Sequence, residues 1–240
     1  MKNTPFVFRS RYFLHCLVYA IGFTPWDRIV HRGNGLTTWL VLAAWPARHG
    51  WISFQNATIA LLILGILFAL AGASIRTWAS AYIGASIVHD TAMHGTQMVA
   101  AGPYRFVRNP LYLGTWLHSF ALALLMPASG AVLALIGITL LQFLLIFSEE
   151  PYLTQQFGQP YLDYKARVPR LFPALTPRTA PSGAHPAWRL AFISEIYFWG
   201  VVISFASLGW RYNTFLLTKC VLVSFGISLI VRALLPPTKE

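Results

Sequence analysis

The chain has 240 residues, of which 56% are hydrophobic and only 10% are charged, whereas soluble domains carry about 25% charged residues. A mean hydropathy of +0.57 and several uncharged apolar runs near bilayer length predict a polytopic integral membrane protein. The formal net charge of +11 would suggest nucleic acid in a soluble protein. Here the cations cluster between the apolar runs and no nucleic-acid motif is present, so we expect no nucleic-acid partner.

Residues 1–75 are predicted to form the N-terminal membrane helices. Two short apolar runs, 12–23 and 36–45, are either one tilted hairpin or two interfacial pieces. Residues 52–75 are long enough to span a bilayer, and their glycines and alanines suit close helix packing. Arg76 ends this run.

Residues 76–186 are predicted to form the core of the protein. Apolar runs at 111–126 and 131–147 are joined by a tight turn, so they form an antiparallel helical hairpin (110–148) whose two open ends lie on one side of the membrane. A short amphipathic helix is expected over 155–168, followed by a proline-rich linker.

Residues 187–240 are predicted to form a C-terminal pair of membrane helices, at 190–208 and 214–235. The expected fold is therefore all-α, a bundle of about five to seven transmembrane helices. If the side that carries Arg108 and Glu150 is cytoplasmic, it receives about twice as many cations as the other side, as membrane topology requires. This assignment leaves Arg9 and Arg11 on the opposite side.

Several other polar residues are predicted to be structural. His89, Asp90 and His94 do not have the spacing of a recognised metal site, so we expect no metal. His118 lies inside a span and is expected to pack there. Glu195 is predicted to be an interfacial residue with no catalytic task.

The two open ends of the hairpin carry opposite charges. Arg108 and Asn109 precede Pro110, and arginine beside a helix N-terminus suits an anionic group such as a carboxylate. Glu149 and Glu150 lie at the other end, about 100° apart on a helix, so only one of them should face the same pocket as Arg108. Both signs together suit a ligand with an amino acid head. The structural alternative is that Arg108 and Glu150 simply pair with each other.

The motif G-P-Y-R-F-V-R-N-P-L-Y-L-G at 102–114 is followed at 149–173 by E-E-x-x-L-x-x-x-F-G-x-x-Y-x-x-Y-K-x-x-V-P-R-x-x-P. Together they resemble the superfamily of isoprenylcysteine carboxyl methyltransferases and phospholipid methyltransferases, over about residues 72–173. The resemblance implies S-adenosylmethionine as cofactor, in a pocket that faces the cytoplasm. The positions that match the family's cofactor contacts are Tyr104, Arg108, Asn109, Tyr112 and Glu150.

Asn109 departs from the family pattern, R-H-P-x-Y-x-G, because it stands where a histidine is expected. Asparagine can donate and accept hydrogen bonds, but it cannot carry a proton near neutral pH. The resemblance therefore leaves Asn109 a role in positioning the cofactor and no role in proton transfer.

The methyl acceptor is expected to be membrane-associated, a lipid or a lipidated group. The first prediction is the carboxylate of a prenylated cysteine-like substrate, which needs no base but needs a cation to orient it, and Arg170 or Arg167 could serve. The alternative is the amine of a phospholipid, which must lose a proton to Glu149, Glu150 or His94. We predict Arg170 and Glu149 as the catalytic residues. Two alternatives stay open: an NADPH-dependent sterol-type reductase, which shares an R-H-P-x-Y-x-G-like segment, and a non-enzymatic membrane protein.

Overall fold

A computed structural model describes residues 6–25, 36–83, 100–180 and 183–234. Several sequence predictions fall outside these ranges. They concern the polar residues His89, Asp90 and His94.

The described residues form ten α-helices and two short 3-10 helices, and they contain no β-strand. In chain order the α-helices are α1 (Phe6–Arg9), α2 (Arg11–Phe23), α3 (Thr38–Arg48), α4 (Phe54–Ile83), α5 (Pro110–Ala123), α6 (Ala128–Phe157), α7 (Gln159–Arg167), α8 (Trp188–Ser194), α9 (Ile196–Leu208) and α10 (Thr214–Leu234). The 3-10 helices are Gly102–Arg105 and Gly209–Arg211. The all-α prediction is confirmed.

Three of the described helices, α4, α6 and α10, are long and apolar enough to cross a membrane. The pair α8 and α9, which is bent by 69° at Glu195, would make a fourth span if its two parts are counted together. The predicted number of five to seven spans is therefore not confirmed, because α2 and α5 have only 13 and 14 residues.

Helices α4 and α5 lie against each other at a glycine crossing. A Cβ atom added to Gly72 would lie 2.7 Å from the carbonyl oxygen of Gly114, so neither position leaves room for a side chain. Phe68 stacks on Phe120 further along the same interface. The two helices are thus antiparallel, and the C-terminal end of α4 lies beside Pro110 at the start of α5.

Helix α6 is longer than predicted. The apolar run ends at residue 147 and a separate amphipathic helix was expected from 155, whereas α6 runs through Pro151 to Phe157. The change from apolar to polar residues marks where the chain leaves the membrane, and it does not end the helix. Gly158, with φ +61°, separates α6 from α7.

Helix α2 places the N-terminus on the same side as Glu149. Gly22 meets the backbone near Gly130 at the start of α6, while Phe8 packs on Leu145 near its polar end. The assignment of Arg9 and Arg11 to the opposite side was therefore wrong. Its cause was that the two short N-terminal runs gave no reliable number of crossings. The described cations of the Glu149 side are Arg9, Arg11, Arg76, Arg105, Arg108, Lys165, Arg167, Arg170, Arg178, Arg189 and Arg232, and those of the other side are Arg48, Arg211 and Lys219.

Candidate cofactor and acceptor site

The segment before α5 is held in place by the segment after α7. The amide of Arg108 donates to the carbonyl of Pro169 over 2.9 Å, and the amide of Ala174 donates to the carbonyl of Phe106 over 2.9 Å. The hydroxyl of Tyr164 in α7 donates to the carbonyl of Tyr104 over 2.8 Å. These bonds fix the backbone that carries the side chains of the motif. Residues 169–174 of the predicted irregular linker therefore form a defined segment, here called the strap.

Glu150 is the centre of a cluster of cations. Its carboxylate accepts two hydrogen bonds from Arg170, from Nε at 3.1 Å and from Nη2 at 2.9 Å. Arg108 Nη1 lies 3.2 Å from Oε1, and Lys165 Nζ lies 3.6 Å from Oε2. The side chain of Glu150 is only 4% exposed. The pairing of Arg108 with Glu150 is therefore present, but it is one contact of a larger cluster.

Arg108 keeps hydrogen-bonding capacity beyond this cluster. Its Nη1 is engaged with Glu150, but its Nε is buried and has no hydrogen-bond partner among the described residues. The hydroxyl of Tyr104 is also buried and has no hydrogen-bond partner in those ranges. Tyr104 and Arg108 line the same cavity. Buried donors without partners are costly unless a ligand satisfies them, so these atoms mark a place for a polar group.

Asn109 has a structural contact of its own. Its Nδ2 donates to the carbonyl of Arg170 over 3.1 Å, and its backbone forms the N-cap of α5. The amide thus ties the start of α5 to the strap, a task that needs a donor and does not need a titrating group.

Glu149 and Glu150 point to different surroundings, as expected for neighbours on a helix. The hydroxyl of Tyr112 donates to Glu149 Oε2 over 2.8 Å, and both residues line the cavity. Glu150 does not line it and faces the cations. Arg170, predicted to be catalytic, also lies outside the cavity lining and contacts Glu150.

The cavity has a volume of about 520 Å³ and extends from Arg108 into the helical bundle. This volume is within the range of small-molecule sites. Its deeper wall is aromatic, with Tyr19, Tyr197 and Phe198 among the lining side chains. Four lining residues, Arg11, Arg76, Arg108 and Arg232, are arginines, and among the described residues Glu149 is the acidic group that lines it.

The cavity reaches the outer surface of the bundle between α2 and α10. Cys16 and Ala20 of α2 line it and are exposed. Leu222 and Phe225 of α10 also line it and are exposed. This opening lies between two apolar helices, so its rim faces the hydrocarbon part of the membrane.

A second polar centre was missed by the sequence analysis. Arg76 Nε donates to Glu195 Oε2 over 2.6 Å and its Nη2 donates to Oε1 over 3.1 Å, while Nη1 bonds to Thr115 Oγ1 over 2.7 Å. Ser80 also donates to this carboxylate. Glu195 is completely buried at the bend between α8 and α9, so it is not interfacial. The signal was an arginine and a glutamate in apolar surroundings, which must pair there.

Tyr104 and Tyr164, which lie outside the membrane-spanning helices, are buried and neutral. Burial raises the pKa of Tyr104 well above its ordinary value, and burial likewise raises the pKa of Tyr164. The hydrogen bonds to Glu150 raise the pKa of Arg170. These hydroxyls therefore stay protonated and Arg170 stays charged across the physiological pH range.

The structure brings together most of the predicted cofactor residues. Tyr104, Arg108, Asn109 and Tyr112 line the cavity, and Glu150 contacts Arg108 from behind it. No group of three or more histidine, cysteine, aspartate or glutamate side chains suited to a metal occurs in the described ranges.

Residues 57–160 match the family model of the phospholipid methyltransferases. The nickel-cobalt-cadmium resistance protein NccN of Alcaligenes xylosoxydans xylosoxydans is 30% identical over 128 residues, which are 52% of this chain and 54% of that protein. The chain thus spans about half the length of this curated relative. No solved structure matches. The matched segment contains Tyr104, Arg108 and Glu150, and the resemblance drawn from the motifs is confirmed.

Proposed function

We propose that this integral membrane protein is an S-adenosylmethionine-dependent methyltransferase. Residues 57–160 match the family model of the phospholipid methyltransferases, which belong to the superfamily of isoprenylcysteine carboxyl and phospholipid methyltransferases. The protein's acceptor is a lipid or a lipidated group. The observation that carries the proposal is the pair of unsatisfied donors, on Arg108 and Tyr104, at the polar end of a cavity that opens toward lipid.

The residues at the polar end suit the amino acid part of the cofactor. Arg108 Nε offers a charged donor for a carboxylate, and the first turn of α5 after Pro110 adds the positive end of a helix dipole. Tyr104 offers a neutral hydroxyl, and Glu150 holds Arg108 from the far side. When bound, S-adenosylmethionine supplies a methyl group on a positively charged sulfur.

The charge of the cavity favours an anionic acceptor. Two of its four lining arginines, Arg76 and Arg108, are paired with Glu195 and Glu150, and the other two lie with one lining glutamate, Glu149. The remaining positive charge would attract a carboxylate such as that of a prenylated cysteine-like substrate. In the reaction a carboxylate oxygen forms a bond to the methyl carbon while the carbon–sulfur bond breaks, and S-adenosylhomocysteine leaves. No proton is transferred, so the protein positions the two partners and excludes water.

The second candidate acceptor is a phospholipid amine, which Glu149 supports. This glutamate lines the cavity, and its Oε2 is held by Tyr112. A carboxylate in this place can accept the proton that an ammonium must lose before it attacks the methyl carbon. Glu149 is therefore the proposed catalytic residue for this alternative.

The predicted catalytic role of Arg170 takes a specific form. Its two hydrogen bonds to Glu150 make it a positioning residue for the Glu150–Arg108 pair. We also propose that the side of the protein that carries Glu149 faces the cytoplasm. Eleven of the described cations lie on this side and three lie on the other.

The test uses the purified protein in detergent, with calorimetric binding of S-adenosylhomocysteine and of NADPH. We expect S-adenosylhomocysteine to bind, Arg108→Gln to weaken that binding at least about tenfold, and Arg178→Gln, an exposed arginine, to leave it unchanged. Binding of NADPH alone would contradict the proposal.

The acceptor is then identified with a labelled methyl group. The protein in vesicles is offered a prenylated cysteine acid or phosphatidylethanolamine. A labelled product that is hydrolysed by base is a methyl ester, which indicates a carboxylate acceptor. A product that is stable in base indicates an amine acceptor. Cofactor binding without transfer to either class would remove both acceptor assignments.

A further inference from the structure

Arg232, in the last turn of α10, lines the cavity and has no carboxylate partner among the described residues. Its Nε is buried and has no hydrogen-bond partner among the described residues, and no carboxylate in those ranges forms an ion pair with it. By contrast, Arg76 is paired with Glu195 and Arg108 with Glu150. Of these three cavity arginines, Arg232 is the one whose charge is not offset.

A second arginine lies close to Arg232. The guanidinium carbon of Arg232 is 5.4 Å from the centre of the Tyr12 ring, and that of Arg11 is 5.0 Å from the same centre. Both arginines line the cavity, and Arg11 is only 7% exposed. The two guanidinium groups therefore lie beside the same ring in the cavity wall. An anionic group placed next to that ring would be attracted by both positive charges.

The position of the two arginines fits the head of an amphipathic molecule. Cys16, Leu222 and Phe225 line the same cavity and are exposed on α2 and α10, so they leave an apolar path from the lipid. A hydrocarbon tail can lie along this path while its anionic head meets Arg11 and Arg232 at the polar end.

We propose that Arg232, together with Arg11, binds the anionic group of the acceptor and so determines that acceptors carry a negative charge. This inference rests on the proposed function, and it names residues that lie outside the matched segment 57–160. Cofactor and acceptor would then use different arginines, Arg108 for the first and Arg232 for the second.

The position of Arg232 near a helix C-terminus has a simpler partial explanation. A cation in the last turn interacts favourably with the helix dipole. That interaction does not account for a buried Nε without a hydrogen bond or for placement in the cavity wall. It also predicts a change in stability alone, which separates it from a binding role.

The experiment compares two ligands that differ only in charge, an S-prenylated cysteine acid and its methyl ester. Equilibrium binding to the purified full chain in detergent is measured for the wild type, Arg232→Gln and Arg189→Gln. Arg189 is an exposed arginine on the same side, so this variant has the same net charge as Arg232→Gln. S-adenosylhomocysteine binding is measured on each variant.

The wild type should bind the acid more tightly than the ester. Arg232→Gln should weaken acid binding about tenfold, as expected for one charged hydrogen bond, with ester and S-adenosylhomocysteine binding unchanged. An unchanged acid-to-ester ratio in Arg232→Gln, or an equal loss in Arg189→Gln, would overturn the proposal. Failure to methylate any acceptor would count against the proposed function only, because the binding ratio is measured without turnover.

A second arm identifies the source of the anion. The acid is replaced by nanodiscs that contain phosphatidylglycerol, with phosphatidylcholine nanodiscs as the reference. A loss in Arg232→Gln that is confined to phosphatidylglycerol supports a phosphate head, and a loss confined to the prenyl acid supports a carboxylate head. No difference between variants in either arm would refute an anion site at Arg232.

Discussion

At the scale of single residues, the Glu150 cluster distributes different tasks among similar side chains. Arg108 lines the cavity and its buried Nε has no hydrogen-bond partner among the described residues, whereas Arg170 donates from Nε and Nη2 to Glu150 and lies outside the cavity lining. Lys165 is more distant, at 3.6 Å. Removing either arginine should therefore weaken cofactor binding, one directly and the other through Glu150.

Arg170→Gln is expected to weaken S-adenosylhomocysteine binding about tenfold, because Glu150 would lose its two-point contact and no longer hold Arg108 in place. Calorimetry and steady-state kinetics separate the possible roles. If kcat falls while S-adenosylhomocysteine binding stays unchanged, Arg170 acts on the acceptor, as the sequence first indicated. Arg167→Gln, an exposed neighbour, is the matched control.

Two buried tyrosines allow a paired test of the cofactor site. Tyr104→Phe removes a hydroxyl that has no partner within the described ranges, so we expect unchanged stability and S-adenosylhomocysteine binding weaker by about fivefold. Tyr164→Phe removes a hydroxyl that donates to the Tyr104 carbonyl, so the free energy of unfolding should fall by about 1 kcal/mol.

Thermal unfolding in detergent and calorimetric titration measure the two effects for both variants. A loss of stability in Tyr104→Phe without a change in binding would show that the Tyr104 hydroxyl is structural.

The sequence motif predicted the site residues that lie close together in the chain. It did not predict the pair of residues that are far apart in sequence. Tyr104, Arg108 and Tyr112 are close in sequence, and one hairpin suffices to bring them near Glu149. Arg76 and Glu195 are 119 residues apart, so their contact depends on how α8 and α9 return to α4. Single-residue patterns carry no information about such a return.

At the scale of helices, the glycine crossing of α4 and α5 positions the site. Gly72→Ala places a Cβ against the Gly114 carbonyl and the His118 backbone, so we expect the free energy of unfolding to fall by about 1–3 kcal/mol. Gly226→Ala in α10 is the control, because nothing lies within 4 Å of its added Cβ.

Reversible unfolding in mixed micelles gives both values. Alanine has the same helix propensity at both positions. The difference between the two free energies of unfolding therefore measures the cost of the Cβ atom at the α4–α5 crossing. Equal stability of the two variants would mean that α4 and α5 separate without cost.

Helix types were predictable, but several helix ends were not. Pro110 starts α5 as the sequence predicted, since proline suits a first helical turn. Pro151 did not end α6, because a proline removes a single hydrogen bond and a long packed helix tolerates that loss. Arg76 ends the apolar run but α4 continues to Ile83, because the charge of Arg76 is neutralised inside the bundle by Glu195.

At the scale of the whole molecule, the cations are concentrated at one membrane side, whereas the cavity opens sideways toward the lipid. The described cations are concentrated on the side that carries Glu149, while the cavity reaches the lipid-facing surface between α2 and α10. In the proposed reaction, the cofactor would therefore enter from water and the acceptor from lipid.

The two cysteines of the chain report on lateral access. Cys16 is exposed and lines the cavity on α2, whereas Cys220 lies on α10 and does not line it. In variants that keep one cysteine each, an apolar maleimide should label both in membranes. A prenylated acceptor analogue should slow labelling of Cys16 several-fold and leave Cys220 unchanged, because the tail would cover only the cavity wall. Equal protection of both cysteines would indicate nonspecific partitioning of the analogue, and no protection of Cys16 would exclude the path between α2 and α10.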